Sequence, residues 1–467
     1  MLTKFNRLIF ERINMQNYDL IVVGGSAAGI TAALTARKFY PDKSILLIRD
    51  VKNVPIPCGI PYVFGTVKDP MKNLMPVDTM MQNAKVDVQL STVTKINPEF
   101  KIIFTSDNHK EGMTYERLII ATGSLPIIPN LKGIDKHNIF AIKKNPEFHQ
   151  LMLEELDKAK NLVIIGGGFI GAEFAEECRK RHPELPISIV EMQEHCLQLV
   201  YDPEYCTMAE KGLADQNITL LTNEKVVAFT GNESVAGVEL ESGKVIPADM
   251  VILGIGCSAN VDLAREAGLR IGPARGIYVD DHMQTSNLYI YACGDCADKV
   301  SFFDGKPSAL KLASIATMEA RIAGANIFKT NRKNIGVVGC FATVLNNQAY
   351  ACAGLTETQA TKLGYKIAVG TAESINRHPG MMPGSALMKV KLVFELKSQV
   401  LLGGQIIGAL SAGELINGVS AMIGKKMTAD DIATFQAGTH PALTASPVAY
   451  QLVNAAENAL LKIRALI

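Results

Sequence analysis

Short apolar runs that end in glycine turns organise the first two thirds of the chain. Tyr18 to Val23 (YDLIVV) leads into Gly24-Gly25-Ser26-Ala27-Ala28-Gly29, and Ile30 to Phe39 then reads as an Ala-rich helix. Ser44 to Ile48 and Leu118 to Ala121 are further strands, the second closing at Thr122-Gly123 before a Pro-rich stretch from Pro126 to Pro129. The same grammar then recurs. Asn161 to Ile165 is a strand, Gly166 to Gly171 (GGGFIG) a turn, Ala172 to Lys180 a helix and Ile187 to Val190 the next strand. Two such units predict two dinucleotide-sized sites.

From Ile335 the pattern changes. Strand-like runs at Gly336 to Val344 and Leu387 to Leu396 have no glycine turn and helix behind them. Thr356 with Gln359 three residues on is a capping box that starts a helix. Met388 to Leu396 and Val400 to Ile407 predict a hairpin joined near Lys397 and Ser398, and Glu414 to Ile423 and Pro447 to Arg464 read as helices. The fold class is therefore α/β, with two Rossmann-like dinucleotide-binding domains and a C-terminal α+β domain.

Composition narrows the partners. A chain of 467 residues holds about three domains at roughly 150 residues each. Lys plus Arg number 47 against 46 Asp plus Glu, and a formal charge of +1 offers nucleic acid no electrostatic footprint. No apolar run approaches the ~18 residues of a spanning helix, so a soluble protein without a membrane partner is expected. Nine Cys form an odd, irregular set, which fits a reducing, cytoplasmic compartment. Met1 to Asn14 lacks the apolar segment of a signal peptide and reads as an upstream start or a small extra helix.

The glycine turns allow backbone to approach a pyrophosphate whose charge sits at the helix N-terminus. In the second copy Gly166, Gly168 and Gly171 fit GxGxxG, and Glu191 stands about 20 residues further on, where a carboxylate accepts from a ribose 2′-OH and repels a 2′-phosphate. NADH is therefore favoured over NADPH. In the first copy the equivalent position is Arg49, with Asp50 one place later, so either Asp50 or another group takes the ribose. Tyr289 to Asp295 is a strand ending in Gly-Asp, where the Asp295 carboxylate can reach a cofactor hydroxyl. Between them lies Pro55-Ile56-Pro57-Cys58-Gly59-Ile60-Pro61-Tyr62, in which prolines and a glycine fix an irregular backbone around one Cys. A helix starting just after Cys58 would lower its pKa and favour thiolate. Cys293 and Cys296 match CxxC, but the intervening Gly-Asp is the strand end that presents Asp295; Arg377 and His378 sit in a turn-rich loop that solvent or substrate contacts. The eight His show no ligand spacing, and no metal is predicted.

GGSAAG at Gly24 to Gly29, PCGIPY at Pro57 to Tyr62, ATGS at Ala121 to Ser124, GGGFIGAE at Gly166 to Glu173 and ACGDCA at Ala292 to Ala297 together resemble the flavin-dependent pyridine nucleotide-disulfide oxidoreductases. Within them the chain looks most like the single-cysteine branch of coenzyme A disulfide reductases, NADH oxidases and persulfide or polysulfide reductases. The resemblance implies FAD in the first site, NAD(P)H in the second and a homodimer formed by the C-terminal domain. It implies an FAD-binding domain over 16–125 and 256–330, an NAD-binding domain over 126–255 and a dimerisation domain over 335–467. The residues expected around the cofactors are Gly24, Gly25, Ser26, Ala27, Gly29, Asp50, Thr122, Gly123, Gly166, Gly168, Phe169, Ile170, Gly171, Glu173, Glu191, Gly256 and Asp295. Phe169 corresponds to an aromatic that swings aside to admit nicotinamide.

Departures from the family pattern narrow the chemistry. Asn53 stands where dithiol members carry a second Cys, so no internal active-site disulfide forms; Ala27 stands where peroxidases and water-forming oxidases carry a His. Thr439-His440-Pro441 looks like the His-Pro segment of dithiol reductases, whose His is an acid/base across the dimer oriented by a Glu five residues on. Ala445 occupies that position, leaving His440 either a catalytic acid/base or a structural, substrate-contacting residue. The implied activity is NADH-dependent reduction, through flavin and Cys58, of a small disulfide, persulfide or polysulfide, a coenzyme A derivative among them. The alternative is an NADH oxidase or an electron donor to a small redox protein.

Overall fold

The apolar run at the start of the chain becomes the centre of a parallel sheet because its side chains have nowhere polar to face. In the computed structural model, which describes residues 15–108 and 112–466, strand β1 (Gln16–Val23) buries Leu20, Ile21 and Val22 completely. The reading of residues 1–14 lies outside the described residues. Helix α1 (Ala27–Phe39) follows the first glycine turn, and β1 lies parallel between β2 (Ile45–Arg49) and β3 (Met113–Ile120). The sequence reading caught only the end of β3, since Thr114, Glu116 and Arg117 interrupt the apolar pattern before Leu118.

The second unit repeats this arrangement. Strand β4 (Leu162–Ile165) runs into helix α2 (Phe169–Arg181), which begins three residues earlier than predicted, and β4 lies parallel between β5 (Ile187–Val190) and β6 (Met250–Leu253). The chain then returns to the first sheet. Strand β7 (Ile290–Ala292) pairs parallel with β3, and α3 (Ala313–Asn326) packs on α1 so closely that a Cβ on Gly324 would lie 2.5 Å from the carbonyl oxygen of Ala32. Small residues on both helices, Ala32, Ala33 and Ala36 against Ala320 and Ala323, permit that approach.

The third body is a five-stranded antiparallel sheet. Strands β8 (Cys340–Leu345), β9 (Gln348–Gly354), β10 (Ile367–Ile375), β11 (Leu387–Glu395) and β12 (Leu401–Gly408) stack in the order β8-β9-β12-β11-β10. The predicted β11–β12 hairpin and the Thr356 capping box are both present. The expected strand at Gly336 starts only at Cys340, because Gly336 sits at φ +98° outside extended geometry. The last helix, α4 (Gln451–Leu466), likewise starts later than predicted, with Pro447–Ala449 forming one 3₁₀ turn before it. No helix among the described residues is long and apolar enough to cross a membrane.

One buried charge cluster ties the third body to the second. Lys391 on β11 places its ammonium 2.9 Å from Asp202, 2.6 Å from Glu204 and 2.8 Å from Glu357. Asp202 also accepts from Gln405 and from the N–H groups of Glu357 and Thr358. Both Lys391 and Asp202 are almost fully buried, so removing one leaves a desolvated charge behind. Lys391→Met is expected to destabilise the protein by about 3–5 kcal/mol, read as a lower urea midpoint; a change within about 0.5 kcal/mol would contradict it.

Candidate active site

The two glycine turns meet the same steric demand. Gly24 (φ +116°) and Gly166 (φ +105°) hold left-handed backbone, and a Cβ on Gly29 or Gly171 would lie 1.7 Å or 1.9 Å from the carbonyl oxygen of Gly24 or Gly166. Only glycine lets α1 and α2 start so close to the strands they follow. The first-turn N–H groups of both helices have no acceptor within the helix, and such a terminus can receive a pyrophosphate. A Cβ on Gly168 would meet no protein atom within 4 Å, so that side of the second turn is open. Ser26 and Ala27 occupy the matching place in the first turn, and Ile170 is exposed beside Phe169. The residues present fit a dinucleotide at each turn.

The ends of the second strands differ in chemistry. Glu191 accepts from Gly167 N at 2.6 Å with Oε2 and from Gln193 N at 2.8 Å with Oε1, which fixes its carboxylate against the turn. A carboxylate has about four acceptor positions, so two remain for a sugar diol. Arg49 is buried against Gly25, where a Cβ would lie 2.4 Å from Arg49 Cβ, and its guanidinium turns to Asp78 at 2.5 Å. Asp50 is exposed on the loop beyond.

Thr122, Gly123 and Gly256 lie where the chain leaves the first sheet and re-enters it. Thr122 Oγ1 donates to Asn260 O at 2.7 Å, Asn260 N to Gly123 O at 2.9 Å, and Ile127 N to Gly256 O at 3.0 Å. Asp295 joins this crossing, accepting from Ser124 Oγ at 2.7 Å with Lys144 Nζ 3.8 Å away. Beneath it Lys299 and Glu319, both buried, clamp Gly294: Lys299 Nζ donates to Gly294 O at 2.6 Å and Gly294 N to Glu319 at 2.9 Å. Cys293 and Cys296 are fully buried free thiols in this packing, which accounts for them as core residues.

Cys58 is the one exposed cysteine among the described residues, the other eight being buried or half-buried. The α-helix expected after it does not form. Pro57–Gly59 and Pro61–Phe64 are two short 3₁₀ turns, so no helix N-terminus lowers the thiol pKa. Instead the Cys58 thiol is pushed above its ordinary value, first by loss of hydration and then by the Glu173 charge, with Asp295 adding to it and Lys144 opposing. Glu173 itself is raised to about 7, chiefly by burial, while the Thr343 hydroxyl, 2.7 Å from its Oε1, pulls the other way. Tyr62 is pushed up to about 12 by burial and by Glu173 and Glu177, so it stays a donor. Groups from all three bodies thus surround Cys58 directly or through Glu173.

Phe169, at the start of α2, stacks on Phe341 of β8 with ring centroids 5.3 Å apart and 15° between planes, and meets Tyr201 edge-on at 6.0 Å. Lys144, Phe341 and Thr343 were not singled out in the sequence. Lys144 precedes Asn145, which caps the helix Pro146–Leu156, and only that helix start marked its loop as ordered. His440 is exposed in the third body. Its Nδ1 accepts from Ala442 N at 3.2 Å, so a neutral ring carries its proton on Nε2. His378 Nδ1 donates to Thr444 O at 3.0 Å, which ties its loop to the His440 turn.

Comparison with known proteins agrees with this geometry. Residues 18–320 match the family described as pyridine nucleotide-disulphide oxidoreductase, and residues 340–449 match its dimerisation domain. An NADH oxidase of Methanocaldococcus jannaschii is 30% identical over 457 residues, covering 95% of this chain and 99% of the relative. A CoA-dependent NAD(P)H sulfur oxidoreductase of Pyrococcus furiosus is 29% identical over 90% of this chain and 94% of its own length. The structure of an NAD-dependent persulfide reductase from A. fulgidus superposes with a TM-score of 0.87 at 27% identity, over 97% of this chain and 84% of that one. The chain belongs to the pyridine nucleotide-disulphide oxidoreductases, as an FAD-dependent NAD(P)H oxidoreductase with a dimerisation domain.

Proposed function

We propose that this oxidoreductase uses NADH to reduce a small disulfide, persulfide or polysulfide, with Cys58 as the thiol that takes up substrate sulfur. The observation that carries this reading is the placement of Cys58, an exposed thiol that feels Glu173, Asp295 and Lys144 together, beside both glycine-turn units. The reaction begins when the Cys58 thiolate attacks one sulfur of RS–SR. A new S–S bond to Cys58 forms, the substrate S–S bond breaks, and RS⁻ leaves with its electron pair. Lys144 stabilises the thiolate and Tyr62 stays protonated nearby. When bound at the first turn, FAD supplies the two-electron relay by which NADH and a proton cleave the mixed disulfide, releasing the second RSH and restoring Cys58. The sum is NADH, H⁺ and RSSR giving NAD⁺ and two RSH.

In this reading residues 16–125 with 256–330 hold FAD, residues 126–255 hold NADH, and residues 335–467 form a homodimer. His440, with Nδ1 occupied by Ala442 N–H, presents Nε2 for proton transfer to the leaving thiolate across that dimer. A coenzyme A derivative is one of the substrates to test, because the Pyrococcus relative is described as CoA-dependent. Ala27 stands where peroxidases and water-forming oxidases carry a His, which speaks against efficient peroxide or four-electron oxygen chemistry, and nine free cysteines accord with a cytoplasmic setting.

Two outcomes test this. Cys58→Ser is expected to keep FAD and its reduction by NADH while lowering disulfide or polysulfide turnover at least 100-fold in stopped-flow assays; turnover equal to wild type, or rapid reoxidation by oxygen alone, would replace it with the oxidase reading. Glu191→Ala is expected to raise KM for NADH about 10-fold and to narrow the preference over NADPH, and an unchanged ratio of the two KM values would remove Glu191 from nucleotide selection.

A further inference from the structure

Strand β8 of the third body lies along helix α2 in register. Phe341 stacks on Phe169, Thr343 bonds Glu173, and Asn346 N donates to Glu176 Oε2 at 2.8 Å. Four helical residues rise about 6 Å and two strand residues about 6.6 Å, so successive side chains of one face of β8 can meet successive turns of α2. Thr343 is buried, and among the described residues the contact its hydroxyl makes is the one hydrogen bond from the third body to a carboxylate that acts on Cys58.

We propose that Thr343 is a positioning residue by which the third body sets the reactivity of Cys58, holding Glu173 ionised against the active-site turn. The inference rests on the reading of Cys58 as the reactive thiol. The titratable groups that act with Glu173 come from the active-site turns and from α2. From the active-site turns come Cys58 and Tyr62; from α2 itself come Glu176 and Glu177, both paired with Lys180 at 3.1 Å and 2.8 Å. None of these donates to Glu173, whereas the Thr343 hydroxyl does, and a donor favours the carboxylate over the acid. Without it Glu173 keeps its proton to higher pH. The negative charge that opposes Cys58 ionisation then falls, and the thiolate forms more readily. Phe341 and Phe169 keep the strand seated on the helix while this bond acts.

The test is iodoacetamide alkylation of Cys58 in the FAD-loaded protein near pH 7.5, followed by peptide mass with Cys58→Ser as the control for other thiols. Thr343→Val is expected to alkylate at least about threefold faster than wild type, with the pH midpoint moved down, and Thr343→Ser to return to the wild-type rate. Glu173→Gln is expected to be fast as well, and adding Thr343→Val to it to change nothing further. Equal rates for Thr343→Val and wild type, or a Thr343→Val effect that persists in the Glu173→Gln background, would overturn the proposal. Should Thr343→Val not fold, Thr343→Ala in the same pair of backgrounds reads the same coupling. The readout is separate from disulfide turnover: a flat alkylation series with turnover lost in Cys58→Ser rejects only the role of Thr343, and turnover retained in Cys58→Ser rejects only the substrate reading.

Discussion

A helix can begin directly against the strand before it only where no side chain intervenes, and α2 depends on that condition. Gly171 lies against the Gly166 carbonyl so closely that any Cβ would collide, which fixes the direction in which α2 leaves the second sheet. The contacts of Glu177, Glu173 and Phe169 then follow from that direction. Glu177 accepts from Thr66 N at 2.7 Å and Thr66 Oγ1 at 3.0 Å, anchoring the segment after the active-site turns. Glu173 meets Thr343, and Phe169 meets Phe341. One helix therefore carries the second glycine turn at its start and, along the single stripe of Phe169, Glu173 and Glu177, both the third body and the anchor of the Cys58 segment.

The electrostatics of this arrangement run against the simplest expectation for a reactive cysteine. A thiol placed for nucleophilic attack is expected near a helix N-terminus or a dominant cation. Here the protein sets two carboxylates and partial desolvation against a single lysine, and the balance disfavours the thiolate. The consequence is a thiol whose reactivity depends on its neighbours' protonation. Glu173 is raised to about 7 by burial, so the charge beside Cys58 changes near neutral pH.

What the sequence made legible was local. Each glycine turn sits within a few residues of its strand and helix, the Thr356 capping box spans three residues, and the β11–β12 hairpin closes over a short loop. Cys58 was legible because prolines and a glycine surround it in sequence. Lys144 and Thr343 were not, since a helix cap after Lys144 and a strand-like run around Thr343 carry no chemistry of their own, and each reaches the site only after separate sheets have packed. Thr343 meets a glutamate 170 positions away. The expectation of a lowered thiol pKa failed because the segment after Cys58 forms a short 3₁₀ turn, Pro61–Phe64, in place of the helix that would have supplied the dipole.

Covalent capture of substrate sulfur by Cys58 and its release by NADH are read most directly by mass. Oxidised FAD-loaded protein is incubated with coenzyme A disulfide or with polysulfide in the absence of NADH, quenched at acid pH and digested. The account predicts a coenzyme A or sulfur adduct on the Cys58 peptide that disappears when NADH is added anaerobically before the quench. An unmodified Cys58 peptide in a preparation that still turns over either compound would contradict it.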